Sequence, residues 1–563
     1  MTLKERIWQQ KERKGVRRWN EMRRMIIPFA LGVLLVGLYL MPPVTAEAAG
    51  RSVAITSAQI SGSDVLLSIA ASQIPSTDDG KYYIYADEVW QDGTAGALVA
   101  TVKTGKSVSA GFPLKFNEAG SNLSRKFIVA VKKNGKLVQV SDEHYITNPE
   151  ACATAAGVRN DHGIKGLLAD PERLYTGEIE DLGIEQVTYN INVGGIVGET
   201  DDPAYPTTYF TYNGQTYAFN TAALLEYDNL FQHYTNLGLQ ITVNLLNDKD
   251  SDAMDLIHPK ARDSHVCPGY AFNTAEQEGS EHLEAIAYFL GSRYSGGQGY
   301  GQVDNWIVGN EVNARTEWYY TSSTDLDENV NNYHKAFRVF YNGLKAGNAT
   351  CRVYNSIDQE WGRKSNPGCF LSKEYLDRFN YYVNREGNID WGLSFHPYDS
   401  PLYDPYAWLG LERWVHKDVT TPYITMQNLY ILTDYMHQSE FLSPSGEVRS
   451  ISLSEIGFTS YFGDDLQCAS VAYGYLQAAA NPDIDSFMLY RQTDHAKEIE
   501  SRIAQGLVDV NGNKKPAYDY YKYIDTDQAQ VYKDKASAIM GMDIDALIGN
   551  RDFPTRTWTG YSD

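Results

Sequence analysis

The stretch Asn305-Trp306-Ile307-Val308-Gly309-Asn310-Glu311-Val312 decides the fold. Its apolar run is continuous rather than alternating, the mark of a strand covered on both faces. It stops abruptly in Gly-Asn-Glu. A carboxylate is costly inside a core but usable at the open end of a strand. Ile451-Ser452-Leu453-Ser454-Glu455-Ile456-Gly457 repeats the event.

Working outward, eight β-rich segments are expected: Lys165–Asp170, Glu185–Val193, Leu239–Asn247, Asn305–Val312, Arg352–Asp358, Ile389–Tyr398, Arg449–Gly457 and Ile484–Thr493. Helical periodicity separates them, as in Ala222–Leu237, Glu281–Tyr294, Asn329–Ala346, Leu429–Gln438 and Gln467–Ala480. Eight such units predict an α/β fold of the (β/α)8 TIM-barrel type over residues 160–525. A doubly wound open sheet would carry a Gly-rich phosphate turn after its first strand, and none is present. In the barrel, Glu311 ends the fourth strand and Glu455 the seventh, across the mouth from one another. The long segments after the second and third strands (Tyr209–Phe219 with its Asn213-Gly214 turn, and residues 248–280) fall where they can wall a cleft.

Residues 49–150 read differently. Short alternating runs (Val65–Ile69, Tyr82–Tyr85, Phe127–Val131) and the Asn134-Gly135 turn predict a small all-β sandwich ahead of the barrel. Residues 1–48 carry nine basic side chains, then the apolar run Met25–Met41, then Ala46-Glu47-Ala48. That order is expected of a secretory signal cleaved after Ala48, which places the protein outside the cell. Left uncleaved, the same segment would associate the chain with the cell surface. Residues 526–563 form an expected helical tail, with a helix over Ala536–Ile548.

The net charge of −22 becomes −27 once residues 1–48, with nine basic and four acidic side chains, are removed. Such a surface repels nucleic acid and suits neutral or cationic ligands. The five cysteines show no metal spacing; Cys351 and Cys369 are the nearest candidates for a disulfide. H-x-H and H-E-x-x-H are absent, so no metal site is expected. G-x-S-x-G is absent as well, so no serine elbow is expected. No cofactor is implied.

Two facing carboxyl groups are what glycosidic cleavage needs, one neutral to protonate the leaving oxygen and one ionised to attack the anomeric carbon. With Asn310-Glu311 at the fourth strand, His396-Pro397-Tyr398 at the sixth and Glu455 at the seventh, the chain resembles the clan of retaining barrel glycosidases that includes the cellulase-type and xylosidase-type families. The segment Gly506–Tyr518 is similar to the turn and closing helix of such barrels. The resemblance implies that Glu311 is the acid/base and Glu455 the nucleophile. It also implies that Asn310 contacts the sugar 2-hydroxyl, Tyr398 hydrogen-bonds the nucleophile and His396 lines the site. Where the clan commonly has a Trp after strand eight, this chain has Tyr490-Arg491-Gln492. Asn190 and Asn192 on the second strand, with Asn244 and Asn247 on the third, stand in for the His or Arg of many relatives. These departures suggest a sparsely characterised branch.

Aromatic faces stack on sugars, and Trp361 and Trp408 are the expected subsite walls; Tyr490 and Arg491, after the eighth strand, are further expected contacts. The expected activity is cleavage of a β-linked oligo- or polysaccharide through a glycosyl-enzyme intermediate. The alternative is a carbohydrate-binding or adhesion protein that keeps the barrel without turnover.

Overall fold

The computed structural model describes residues 51–160, 162–200, 202–249 and 251–558. The segment read as an export signal lies outside the described residues. Among the described residues no helix is long and apolar enough to cross a membrane.

Alternation builds the first layer pair. Strands β1 (Val53–Ser61), β2 (Asp64–Ala71), β3 (Lys81–Asp87), β4 (Ala97–Lys103), β5 (Ser107–Pro113), β6 (Lys126–Lys133) and β7 (Lys136–Gln139) form two antiparallel sheets, ordered β1-β2-β5 and β4-β3-β6-β7. In β2, Val65, Leu67 and Ile69 point inward while Asp64, Leu66 and Ser68 face water. The β6–β7 turn holds Asn134 and Gly135 at φ 51° and 74°, the double left-handed geometry that Asn-Gly supplies at low cost.

The barrel follows: β8 (Lys165–Leu168), β9 (Gln186–Asn192), then the excursion hairpin β10 (Thr208–Tyr212) and β11 (Gln215–Phe219), then β12 (Gln240–Leu246), β13 (Asn305–Val308), β14 (Arg352–Asp358), β15 (Gly392–His396), the short β16 (Gly410–Leu411), β17 (Ile451–Ile456) and β18 (Ile484–Leu489). Eight of these close in the order β12-β13-β14-β15-β17-β18-β8-β9. Each lies within a segment read from the sequence. Their outward side chains (Val187, Ile241, Val243, Trp306, Val308, Leu393, Phe395, Ile451, Leu453, Phe487) are buried beneath the helices. Burial of this kind contributes about 1.5–3 kcal/mol for each large side chain. The inward rows are polar instead. Asn305 donates to Thr242 Oγ1 (3.1 Å) and Gln240 donates to Gln186 Oε1 (3.1 Å). A tyrosine hydroxyl and a serine, Tyr354 and Ser450, meet at 2.8 Å.

Two expectations are corrected. The helix read over Ala536–Ile548 is two, Ala529–Met540 and Ile544–Leu547, parted at Gly541 with φ 65°. The tail also adds β19 (Thr555–Arg556), parallel to β16. Cys351 and Cys369 are not bonded, and all five cysteines are free. The two precede and follow β14, so seven residues of strand at roughly 3.3 Å each hold them at opposite ends of the barrel.

The sandwich core extends onto the barrel. Tyr212 of the hairpin and Ala285, Tyr288 and Ala346 of two barrel helices cluster with the sandwich residues. Glu284, only 7 % exposed, lies at this junction. Burial first, then Glu88 and Glu281, push its carboxyl up to about 8 against the opposing pull of Arg125. An unfolded Glu releases its proton near pH 4.3, so the folded chain holds the extra proton between the two values and stability falls as pH rises through that window. Glu284→Gln is therefore expected to stabilise the fold at about pH 9 by on the order of 2 kcal/mol and to change little at about pH 4. Urea melts at the two pH values check this; an equal effect at both contradicts it.

Candidate active site

The two glutamates are aimed by local backbone irregularities. After β13 the chain turns through Gly309 at φ 75° and Glu311 at φ 40°. A Cβ on Gly309 would lie 2.9 Å from Val312 Cγ1 and 3.1 Å from the Tyr319 ring. A left-handed glutamate costs about 1–2 kcal/mol and persists only where neighbours hold it. Ser356 of β14 does so: its Oγ accepts from the Glu311 N–H (3.1 Å) and its carbonyl accepts from the Val312 N–H (2.9 Å).

Glu455 depends on a bulge. Strict alternation along β17 puts Ser452 and Ser454 inside the barrel and would send Glu455 out with Leu453. Opposite β18, Leu453 pairs with Phe487 but Ile456 pairs with Leu489, so three steps face two. An extra residue of this kind re-aims a side chain. Ser454 and Glu455 both reach the inner cluster, Ser454 against His396 and Glu455 against Tyr398.

Hydrogen bonds join the cluster. His396 Nδ1 lies 2.7 Å from Glu311 Oε1, and its Nε2 lies 3.0 Å from Ser454 Oγ. Ser454 Oγ is 2.5 Å from Ser394 Oγ. The Tyr398 hydroxyl donates to Glu455 Oε1 at 2.8 Å. Burial, then Glu317 and Glu360, push the Glu311 carboxyl up to about 8. Burial also raises the Glu455 carboxyl and Glu311 adds to the rise, while the Tyr398 hydroxyl opposes it. His396 is held below its usual range by burial, so the imidazole is neutral. One carboxyl group thus keeps its proton at neutral pH beside a second whose ionised form the Tyr398 hydroxyl favours. That pair can give a proton at one point and offer a nucleophile or base at another.

Of the other expected residues, Asn310 is buried and accepts from Asn244 Nδ2 at 3.1 Å, so these two are brought together. Asn190 pairs in register with Asn244 on the next strand and is exposed. Asn247 turns back to the carbonyls of Leu256 and Ala271. The Tyr490 hydroxyl (2.7 Å) and Arg491 Nη1 (3.1 Å) both donate to Glu498 Oε1, which places Arg491 against a carboxylate. Trp361 and Trp408 are corrected. They are 0 % and 2 % exposed, and Trp361 donates its indole N–H to the Val419 carbonyl (3.1 Å) and packs edge-on against Tyr435. Neither offers a face to a ligand; both are core.

Sequence reasoning missed Ser394, Ser454, Ser356 and Asp358. The first two carried a signal: in Leu393-Ser394-Phe395-His396 and Ser452-Leu453-Ser454 a small polar residue alternates with a large apolar one, which marks an inward row. Asp358, at the end of β14, accepts from Asn313 Nδ2 (2.8 Å) and Ser372 Oγ (2.6 Å). Burial first and then Glu311 push it up to about 7. Among the described residues no three His, Cys, Asp or Glu side chains gather in an arrangement that could hold a metal.

Tyr398→Phe removes only the hydroxyl that holds Glu455. A hydrogen bond to a charged group contributes about 1.5–3 kcal/mol, so kcat is expected to drop about 10–100-fold with thermal stability little changed. A kcat within twofold of the wild type contradicts that role.

A family model described as "Family of unknown function (DUF5722)" matches residues 157–546. No curated protein matches the chain in sequence. Solved structures similar to it include a family 39 glycoside hydrolase from the gut symbiont Bacteroides cellulosilyticus WH2 (15 % identity, 81 % of this chain and 79 % of that one, TM-score 0.43). A hyperthermophilic beta-glucosidase from Pyrococcus furiosus is similar at 13 % identity, over 67 % of this chain and 88 % of that one, with TM-score 0.43. A beta-glucuronidase from Bacteroides uniformis is similar at 13 % identity and TM-score 0.38; the match takes in 84 % of this chain but spans only 50 % of that one.

Proposed function

The chain belongs to the DUF5722 family, whose function is unknown, and we propose that this member is a retaining glycoside hydrolase acting on a β-linked oligo- or polysaccharide. The observation that carries the reading is the pairing of unlike carboxyl groups: Glu311, pushed up to about 8 and bound to His396, and Glu455, bound to the Tyr398 hydroxyl. The motif resemblance at Asn310-Glu311, His396-x-Tyr398 and Glu455 supports the same roles.

Glu311 protonates the glycosidic oxygen as Glu455 attacks the anomeric carbon, and an ester forms between sugar and Glu455. Glu311, now ionised, takes a proton from water, which opens the ester and releases the sugar with its original anomeric configuration. Asn310, next to Glu311 in sequence and held by Asn244, is the contact proposed for the 2-hydroxyl. The order of charge, apolar run and small residues in residues 1–48 supports an activity exported from the cytoplasm.

The acid form of Glu311 is the active one, so kcat/KM is expected to fall as pH rises past about 8. The test is release of reducing sugar from a panel of β-linked glycans and aryl β-glycosides, with Glu455→Gln as the inactive control. Cleavage by the wild type alone supports the reading. Tight binding of a glycan with no cleavage of any member supports the turnover-free alternative instead.

A further inference from the structure

Buried hydroxyls donate wherever an acceptor exists, and an orphaned buried donor is the costlier error. Ser394 is fully buried on β15, and among the described residues its hydroxyl meets one hydrogen-bonding partner, Ser454 Oγ at 2.5 Å. Its proton therefore points at Ser454. Ser454 Oγ, already accepting, has one other partner, His396 Nε2 at 3.0 Å, and gives its own proton there. A nitrogen that accepts carries no hydrogen. In a neutral imidazole the single proton then sits on Nδ1, 2.7 Å from Glu311 Oε1. The opposite direction would run from Nε2–H to Ser454 to Ser394 and end on a buried hydroxyl with no acceptor.

We propose that Ser394 and Ser454 are positioning residues that lock His396 in the Nδ1–H tautomer, so that it donates to Glu311 Oε1 and the acid proton of Glu311 resides on Oε2. The assignment follows from the chain of hydrogen bonds; its consequence for turnover rests on the glycosidase reading above. If Nδ1 were instead an acceptor, it would draw the Glu311 proton to Oε1 and hold it against the imidazole, away from any leaving oxygen. With Oε1 already receiving a hydrogen bond, the transferable proton stays on the free oxygen. The neutral state of His396 fits this, because burial disfavours a second ring proton.

The tautomer is read directly by long-range proton–nitrogen NMR of protein labelled with 15N-histidine, with His396 assigned by the signals missing from His396→Gln. The wild type is expected to show a pyrrole-like Nδ1 and a pyridine-like Nε2, with the other tautomer at least about tenfold rarer. A pyrrole-like Nε2 overturns the proposal outright. This reading needs no substrate, so it stands or falls apart from the proposed activity. Ser454→Ala is expected to release the lock: the Nε2–H form becomes visible, and kcat on substrates with poor leaving groups falls about tenfold. Activated aryl glycosides, which need no proton, are spared, and Ser454→Thr restores both readouts. An unchanged tautomer together with equal loss on both substrate classes in Ser454→Ala overturns the catalytic consequence. Should that variant not fold, the wild-type spectrum decides alone.

Discussion

Glu455→Ala is expected to abolish turnover of every substrate the wild type accepts, with kcat reduced by at least about four orders of magnitude. The size follows from the role. Without Glu455 there is no atom to form the ester, and Glu311 alone can only protonate an oxygen whose carbon nothing attacks. Removing the side chain also leaves the Tyr398 hydroxyl without its acceptor, but a lost hydrogen bond is a minor effect beside a lost nucleophile. The backbone bulge that aims Glu455 is set by the β17–β18 register, so the variant keeps its fold, and an unchanged melting temperature distinguishes chemistry from collapse. Retention of more than about one per cent of activity on any substrate contradicts the assignment.

Glu311→Ala is expected to behave unevenly. On substrates with poor leaving groups, kcat/KM should fall about 10²–10⁴-fold, the usual contribution of a positioned acid. On activated aryl glycosides the first step needs no proton and is largely spared, while hydrolysis of the ester slows for want of a base. The ester then accumulates, a burst of phenol appears, and added azide restores turnover by attacking without base assistance. The fall in activity above about pH 8 should vanish on activated substrates, because the group that titrates there is gone. Equal loss on both leaving-group classes contradicts the acid/base role.

The strand count was legible because apolar-rich segments of strand length recur between stretches of helical periodicity, and a glutamate ending such a segment has few structural uses. Glu311 and Glu455 stood out for that reason. Their aim did not. The left-handed turn at Glu311 depends on Ser356 of a neighbouring strand, and the bulge at Glu455 on the register with β18. Both are contacts between segments distant in sequence, and local pattern carries no record of them. Trp361 and Trp408 show the converse limit. A core indole and a ligand-facing indole are the same letter, and only the packed helices around them tell the two apart. Cys351 and Cys369 are near in sequence but separated by a whole strand. The tail helix is broken at Gly541, whose left-handed φ of 65° ends one helix, a conformation that helical periodicity alone does not reveal. Ser394 and Ser454 are readable in principle, since polar-apolar alternation inside a parallel barrel marks the inner row; their link to His396 depends on strands distant in sequence.

Glu311 and Glu455 are held to be an acid/base and a nucleophile acting on one sugar carbon. Mass mapping of the intact enzyme, after exposure to the 2-fluoro analogue of whichever glycoside it cleaves, tests this most directly. One added sugar is expected on the peptide that contains Glu455, absent from Glu455→Gln. A label on another carboxylate, or a first-formed product of inverted anomeric configuration with no label at all, would contradict it.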